Sequence, residues 1–229
     1  MVNNFLITQL FKSLIFSARR VFIIVLAIFI SALVSSAFLN IYKDHKEKDK
    51  DNTTPMSMKI LATSDWHLGN LFHGNDRLPE HKHFLQWLLV QIAEQKPDAL
   101  LVAGDIFDNG NPSAAAQTVY YEFLADATQL CPNMQVIITA GNHDSASRLE
   151  APRPLLTRYH VEIRGNVRKI WQQSNWLYSF DDLIIPVTNE QGEEVIILAV
   201  PFLRSDVVQN TSYSQGVNDF LRELTAEAR

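Results

Sequence analysis

The chain has 229 residues, 47% of them hydrophobic and 20% charged, which suits one globular domain of ordinary size or two small ones. Its 8 Gly, 9 Pro and 1 Cys exclude collagen-like, low-complexity and disulfide-scaffold classes, and Cys131 has no partner in the chain for a bridge. The net charge of −5 is unevenly spread: residues 1–57 hold seven Lys and Arg against four acids, a net of +3, which leaves −8 for residues 58–229. The sequence therefore divides into an N-terminal extension (1–57) and a body (58–229).

In the extension, Val21–Leu39 reads VFIIVLAIFISALVSSAFL, nineteen residues without a charge. As a helix this run would be about 28 Å long, close to the thickness of a bilayer's hydrocarbon core. Arg19 and Arg20 precede it, and a mixed-charge tether, YKDHKEKDKDN over 42–52, follows it. Three readings stay open. The run is a transmembrane signal anchor, though the Lys/Arg counts on its two sides orient it poorly. Alternatively it is a cleaved signal peptide, with Ser35-Ser36-Ala37 as the small-residue cleavage site. In the third reading translation starts at Met56 or Met58, and the upstream residues are not part of the protein.

From Met58 onward short apolar runs alternate with amphipathic stretches, the pattern of an α/β fold. Met58–Thr63 (MKILAT) is the first predicted strand. Phe84, Leu85, Leu88, Leu89, Ile92 and Ala93 recur at helical spacing and stop before Pro97. Ala99–Val102 is the second strand. A helix follows from Ser113 to about Gln129, with Pro112 at its start, and Met134–Thr139 is the third strand. Asp182–Val187 and Val195–Val200 form a predicted hairpin around Asn189–Gly192, so the sheets are mixed. Residues 217–228 close the chain as an amphipathic helix.

Each of the first three strands runs into a polar cluster: Asp65-Trp66-His67-Leu68-Gly69, then Gly104-Asp105-Ile106-Phe107-Asp108, then Gly141-Asn142-His143-Asp144. The carboxyl ends of strands in an α/β sheet converge on one crevice, so these clusters are expected to meet in space. They bring the donors Asp65, His67, Asp105, Asn142 and His143, a mixed oxygen and imidazole set suited to Mn, Fe or Zn rather than Ca. Gly104 and Gly141 let the backbone turn sharply beside an ion. Any one cluster alone is a common surface pattern. The three in this order, each directly after an apolar run, point to a divalent-metal site.

With D-x-H, G-D-x-x-D and G-N-H-D in place, the sequence resembles the calcineurin-like metallophosphoesterases. Among these it is similar to the SbcD-type nucleases, through KILATSDWHLG (59–69), AGDIFDNGNP (103–112), AGNHDS (140–145) and VPFLRSD (200–206). The resemblance covers Met58 to the C-terminus. It implies an αββα sandwich with mixed sheets and two divalent metal ions, Mn by family habit. Asp65 and His67 would hold the first ion, Asp105 would bridge both, and Asn142 would hold the second. His143 would act on the phosphate, with Asp108 and Asp144 as carboxylates that orient these groups. The implied chemistry is phosphodiester hydrolysis by in-line displacement, as a 3′–5′ exonuclease on double-stranded DNA and an endonuclease on single strands. The implied partner is an SbcC-type ATPase, in a hetero-oligomer located in the cytoplasm.

A net of −8 over the body is unusual for a protein that binds DNA. Bound divalent ions and a partner would offset it, and Arg148, Arg153, Arg158, Arg164 and Arg168 form a candidate basic strip, although each also reads as an ordinary solvated arginine. His73 reads as a loop histidine beside the first motif. His81 and His83, two residues apart on a helix, cannot share an ion, and His160 reads as structural. Trp171, Trp176 and Phe180 read as packing residues before they read as a base-stacking set.

The family pattern includes further histidines, one at another strand end and then a G-H-x-H pair, yet no histidine follows His160. The expectation is a chain truncated at its C-terminal side, with an incomplete and weakened ion site. Two alternatives from other classes remain: a membrane-anchored or exported phosphoesterase acting on a small phosphoester, and an inactive fragment that keeps scaffold or partner contacts.

Overall fold

The computed structural model describes residues 23–25, 58–172, 174–208 and 212–229. In chain order the elements are β1 (Ile23–Val25), β2 (Ile60–Ser64), β3 (Leu71–Phe72), β4 (Asn75–Asp76), α1 (Leu78–Gln95), β5 (Ala99–Ala103), α2 (Ala114–Leu130) and β6 (Gln135–Thr139). There follow α3 (Ala146–Glu150), α4 (Arg153–Leu156), a short 3₁₀ turn, β7 (Val161–Arg164), β8 (Arg168–Gln172), β9 (Asn175–Ser179), β10 (Ile184–Thr188), β11 (Glu194–Leu198) and α5 (Tyr213–Glu227).

The site-bearing sheet is four-stranded and wholly parallel, in the order β2-β5-β6-β7. Parallel neighbours need a crossover, and α1 and α2 supply two of them. Leu78 starts α1 with Pro79 in its first turn and its amide bonded to Asp76 Oδ1 at 2.9 Å. The helix ends at Lys96, whose φ of 47° turns the chain out of it before Pro97. Ser113 caps α2 by accepting a hydrogen bond from the Ala116 amide at 3.2 Å, worth about 1 kcal/mol.

Strand alternation builds the layers. On β5, Leu100 and Val102 point to one face and pack with Leu85, Leu88 and Ile92 of α1 and Val119, Tyr120 and Phe123 of α2. Ala99 and Leu101 point to the other and meet Ile185, Val187, Val195 and Ile197 of the second sheet. That second sheet is three-stranded, in the order β1-β11-β10, with β11 parallel to β1 and antiparallel to β10. Its far face, through Leu198, packs on Phe220 and Leu224 of α5. The result is helix, sheet, sheet, helix: the αββα sandwich that the family resemblance implies, with one sheet wholly parallel and the other mixed. Because β5 is buried on both faces it reads as an unbroken apolar run, ALLVA.

One sequence expectation falls largely outside the described residues, and one differs from what is found. The predicted apolar helix over 21–39 lies outside the described residues except for Ile23–Val25, and those three form a strand. Among the described residues no helix is long and apolar enough to cross a membrane. Secondly, 168–179 forms a β8–β9 hairpin that pairs Trp171 with Trp176. Both indoles are more than 60% exposed and pack edge to face on each other at 5.3 Å, while only Phe180 of the expected packing set reaches the core, against Phe220.

Candidate metal centre

The three polar clusters meet at the carboxyl ends of β2, β5 and β6. Beyond the strands the first two motifs stay in register: the amides of Asp65, His67 and Leu68 donate to the carbonyls of Gly104, Asp105 and Ile106 at 3.1, 2.9 and 3.0 Å. Holding that course puts Asp65, His67 and Asp105 in the left-handed region, at φ of 53°, 46° and 45°. This conformation costs a non-glycine residue on the order of 1 kcal/mol or more. The cross-bonded loops hold all three there, and the His67 imidazole and the Asp105 carboxylate consequently turn toward one another.

His67, Asp105 and His143 each offer one donor atom, and these atoms all lie within 4.8 Å of one another. Asp105 is almost fully buried; its Oδ1 accepts from the His143 amide at 2.9 Å, and its Oδ2 lies 3.8 Å from His67 Nε2. Gly141 makes room for it, since a Cβ there would overlap the Asp105 Oδ1 and amide nitrogen. His143 Nδ1 lies 2.8 Å from the Asp108 carbonyl. A carbonyl only accepts, so Nδ1 carries the proton and Nε2 is left as the free lone pair. That contact holds the His143 imidazolium above its ordinary value of 6.5, against a small opposing effect of burial.

Around this group the other predicted residues take distinct positions. Asp108 Oδ1 is 3.4 Å from His67 Nδ1 and accepts from Asn70 Nδ2 at 2.8 Å. Asp144, fully buried, accepts from three backbone amides: Ile106 and Gly141 at Oδ2, 3.1 and 2.8 Å, and Phe107 at Oδ1, 3.0 Å. It staples the second motif to the third through backbone. Burial raises the Asp144 carboxyl above its ordinary value, and the three amides pull it back down. Asp65 stands at the same strand end, exposed, with its carboxylate outside the converging group. Asn142 is exposed on the turn between β6 and α3.

The site fits a cation. His67 Nδ1 is buried without a hydrogen-bond partner, Asp105 is buried, and no Lys or Arg forms an ion pair with any of these carboxylates among the described residues. Imidazole and carboxylate donors together suit a first-row divalent ion.

A family description, calcineurin-like phosphoesterase, matches residues 58–220, the stretch that contains all three motifs. The chain belongs to this family. Its described fold, a parallel sheet and a mixed sheet between helices, carries the metallophosphoesterase motifs at the three strand ends. Among curated proteins, the SbcD component of nuclease SbcCD from Rhodobacter capsulatus is 40% identical over 148 residues, 64% of this chain and 36% of that protein. The protein of the same name from Escherichia coli strain K12 is 42% identical over 161 residues, 70% and 37% of the two chains. That of Bacillus subtilis strain 168 is 37% identical over 108 residues, 47% and 27%. The matched stretch thus spans from about a quarter to little more than a third of these relatives. Calcineurin-like phosphoesterases bind divalent metals, and the converging group above is where this chain has the donors for one.

Sequence reasoning missed Asn70, which anchors Asp108; only its position directly after Leu68-Gly69 marks it. The expected basic strip is largely spoken for: Arg153 and Arg168 pair with Asp182 at 2.8 and 2.7 Å, and Arg164 with Glu162 at 2.7 Å. His73 sits with Gly74 in the β3–β4 turn, both at positive φ, and His160 caps the 3₁₀ turn in the left-handed region. His81 is half-buried on α1, and burial followed by Arg77 holds its imidazole below the ordinary value.

Proposed function

We propose that this chain is the nuclease portion of an SbcD-type DNA repair protein and hydrolyses phosphodiesters of DNA with manganese. Exonuclease action on double strands and endonuclease action on single strands, partnership with an SbcC-type ATPase and a cytoplasmic location belong to the same reading. The observation that carries it is the convergence of His67, Asp105 and His143 donors at a buried carboxylate that has no Lys or Arg partner among the described residues.

Asp65, His67 and Asp105 would hold one divalent ion, and Asp105 and Asn142 a second. A divalent ion held there supplies charge neutralisation for a phosphodiester undergoing hydrolysis. His143, fixed through Nδ1 by the Asp108 carbonyl, presents Nε2 outward, where it takes or gives a proton at a phosphate oxygen. Asp108 orients both imidazoles, and Asp144 keeps the second and third motifs in register.

Calorimetric titration of the whole chain with Mn²⁺, alongside hydrolysis of end-labelled duplex DNA, tests this reading. Ion binding that Asp105→Ala abolishes, with DNA cleavage lost in parallel, is expected. Cleavage that persists in Asp105→Ala, or ion binding indifferent to it, overturns the reading.

A further inference from the structure

The segment Val200–Asp206 (VPFLRSD) plays no part in the metal centre, yet the structure fastens it there. After β11 the Phe202 amide donates to the Ala140 carbonyl at 2.9 Å, and Ala140 directly precedes Gly141-Asn142-His143. Leu203 is buried with Phe220 and Leu224, and its carbonyl accepts from the Tyr213 hydroxyl at 2.7 Å. The Arg204 carbonyl accepts from the Val207 and Val208 amides at 2.9 and 3.3 Å. Backbone is therefore fixed on both sides of Arg204. Its exposed guanidinium lies over the Phe202 ring, 5.9 Å from the centroid, on the side away from the core that Leu203 enters.

Arg204 differs from the other arginines nearby. Arg153, Arg164 and Arg168 are neutralised by Asp182 and Glu162, whereas among the described residues Arg204 makes no ion pair. Arg148 and Arg158 are also outside the described ion pairs, but no ring holds either guanidinium in place. Two Cα steps of about 3.8 Å separate Ala140 from Asn142, and two separate Phe202 from Arg204, so the Asn142 and Arg204 Cα atoms lie within about 20 Å.

We infer that Arg204 binds a phosphate of the nucleic-acid strand whose scissile phosphodiester occupies the metal centre, at a neighbouring, uncleaved position. This rests on the nuclease reading above. A planar guanidinium seated on an aromatic face is oriented for bidentate contact with phosphate oxygens. Phosphates recur about every 3.4 Å of rise along each strand, so a strand crossing the cluster presents one within a few nucleotides of the cut. In a body of net −8, a pre-set cation on the loop bonded to Ala140 offsets the repulsion a polyanion meets there.

Fluorescence anisotropy with a labelled oligonucleotide tests the inference, using the 229-residue chain in Ca²⁺ with the DNA shown by gel to stay intact. Salt is varied from about 50 to 200 mM, the range over which phosphate contacts are read. Arg204→Gln is expected to weaken binding of unrelated sequences alike. It should flatten the slope of log K against log salt by about 0.9 for duplex and about 0.7 for single strands, one contact's share. Arg204→Lys keeps the slope, which a merely structural role for the guanidinium would not require, and Arg204→Glu flattens it at least as much as Gln. An unchanged slope in both Arg204→Gln and Arg204→Glu, with wild-type binding intact, overturns the inference and leaves the nuclease reading standing. Wild-type protein that binds no DNA at the lowest salt overturns both.

Discussion

The carboxylates at the ends of β2, β5 and β6 and the carboxylate of Asp182 face the same physical problem and meet it differently. Asp182 is partly desolvated, which alone would raise its carboxyl, yet the Arg153 hydrogen bond, with Arg168 and Arg164 nearby, holds it below the ordinary value of 3.8. Its Oδ1 and Oδ2 each take one guanidinium, and its carbonyl accepts from Arg164 Nε. Its charge is matched by the guanidinium groups around it. At the strand ends Asp105, Asp108 and Asp144 gather without one guanidinium or ammonium among the described ion pairs. Backbone amides, Asn70 and the His67 imidazole lie against them, and His67 Nδ1 makes no hydrogen bond. A carboxylate cluster that the fold closes with arginine is structural; one that the fold leaves net negative is completed from outside.

The two clusters should part most widely in metal affinity. Asp105→Ala removes the only nearly buried carboxylate of the converging group and also strips the His143 amide of its acceptor. Mn²⁺ affinity measured by calorimetry should fall by on the order of 100-fold or more, since even outer partners of a site are worth about 10–100-fold. Asp182→Ala should leave that affinity unchanged. Equal losses from the two substitutions would dissolve the distinction between the clusters.

Next in size is Asp144→Asn. The carboxylate spreads three amide donors over two oxygens, whereas an amide side chain has one oxygen and would turn its NH₂ on at least one of them. One buried N–H is then unsatisfied, at about 1–3 kcal/mol. Urea unfolding at pH 7 should show that loss, with Mn²⁺ affinity falling alongside it because the second and third motifs lose their staple. Stability unchanged from wild type would mean that the turn relaxes without cost.

The α/β layering and the meeting of the three motifs were legible in the sequence for identifiable reasons, while the αββα arrangement and the roles of the site residues rest on the family resemblance. β5 and β6 are buried on both faces and so read as apolar runs, and the motifs follow strand ends, where an α/β fold must bring them together. What escaped reading was geometry that has no sequence period. The β8–β9 hairpin pairs Ile170 with Leu177 and Trp171 with Trp176, so its apolar residues face solvent and mimic a core segment. The engagement of Arg153, Arg164 and Arg168 depends on Asp182, up to 29 residues away, a contact that spacing cannot announce. Likewise the bond from Asn70 to Asp108 spans 38 residues.

A smaller effect should appear in the pH dependence of ion binding. The Asp108 carbonyl at Nδ1, with Asp105, Asp108 and Asp144 nearby, raises the His143 imidazole above 6.5 despite slight desolvation. A raised base stabilises the ion-free fold when protonated, a contribution present at low pH and lost as pH rises through the folded value. An ion held by His67 and Asp105 is repelled by the protonated His143 ring beside them. Mn²⁺ affinity should therefore drop as pH falls through a value above 6.5, by up to about tenfold per unit, and His143→Gln should remove that dependence. A profile that His143→Gln leaves unaltered would show that the His143 charge does not reach the ion.

The smallest effect falls on Asp182 itself, and it separates a closed cluster from an open one through stability alone. Its folded carboxyl is held below 3.8 by Arg153, Arg168 and Arg164, so its contribution is fully present above the unfolded value and is lost as pH falls through the folded one. Both ion pairs are partly exposed, with side-chain exposures of 21% and 23% for Arg153–Asp182 and 62% for Arg168. Solvent screening therefore limits their joint worth to about 1 kcal/mol. Asp182→Asn should lower the melting temperature modestly at pH 7 and by progressively less below about pH 4, where the wild-type carboxyl also becomes neutral. High salt should shrink the difference at pH 7 in the same way. A difference that persists undiminished in acid would mean that Asp182 acts through its shape and its backbone carbonyl to Arg164. The closed cluster would then owe its stability to packing and not to neutralised charge.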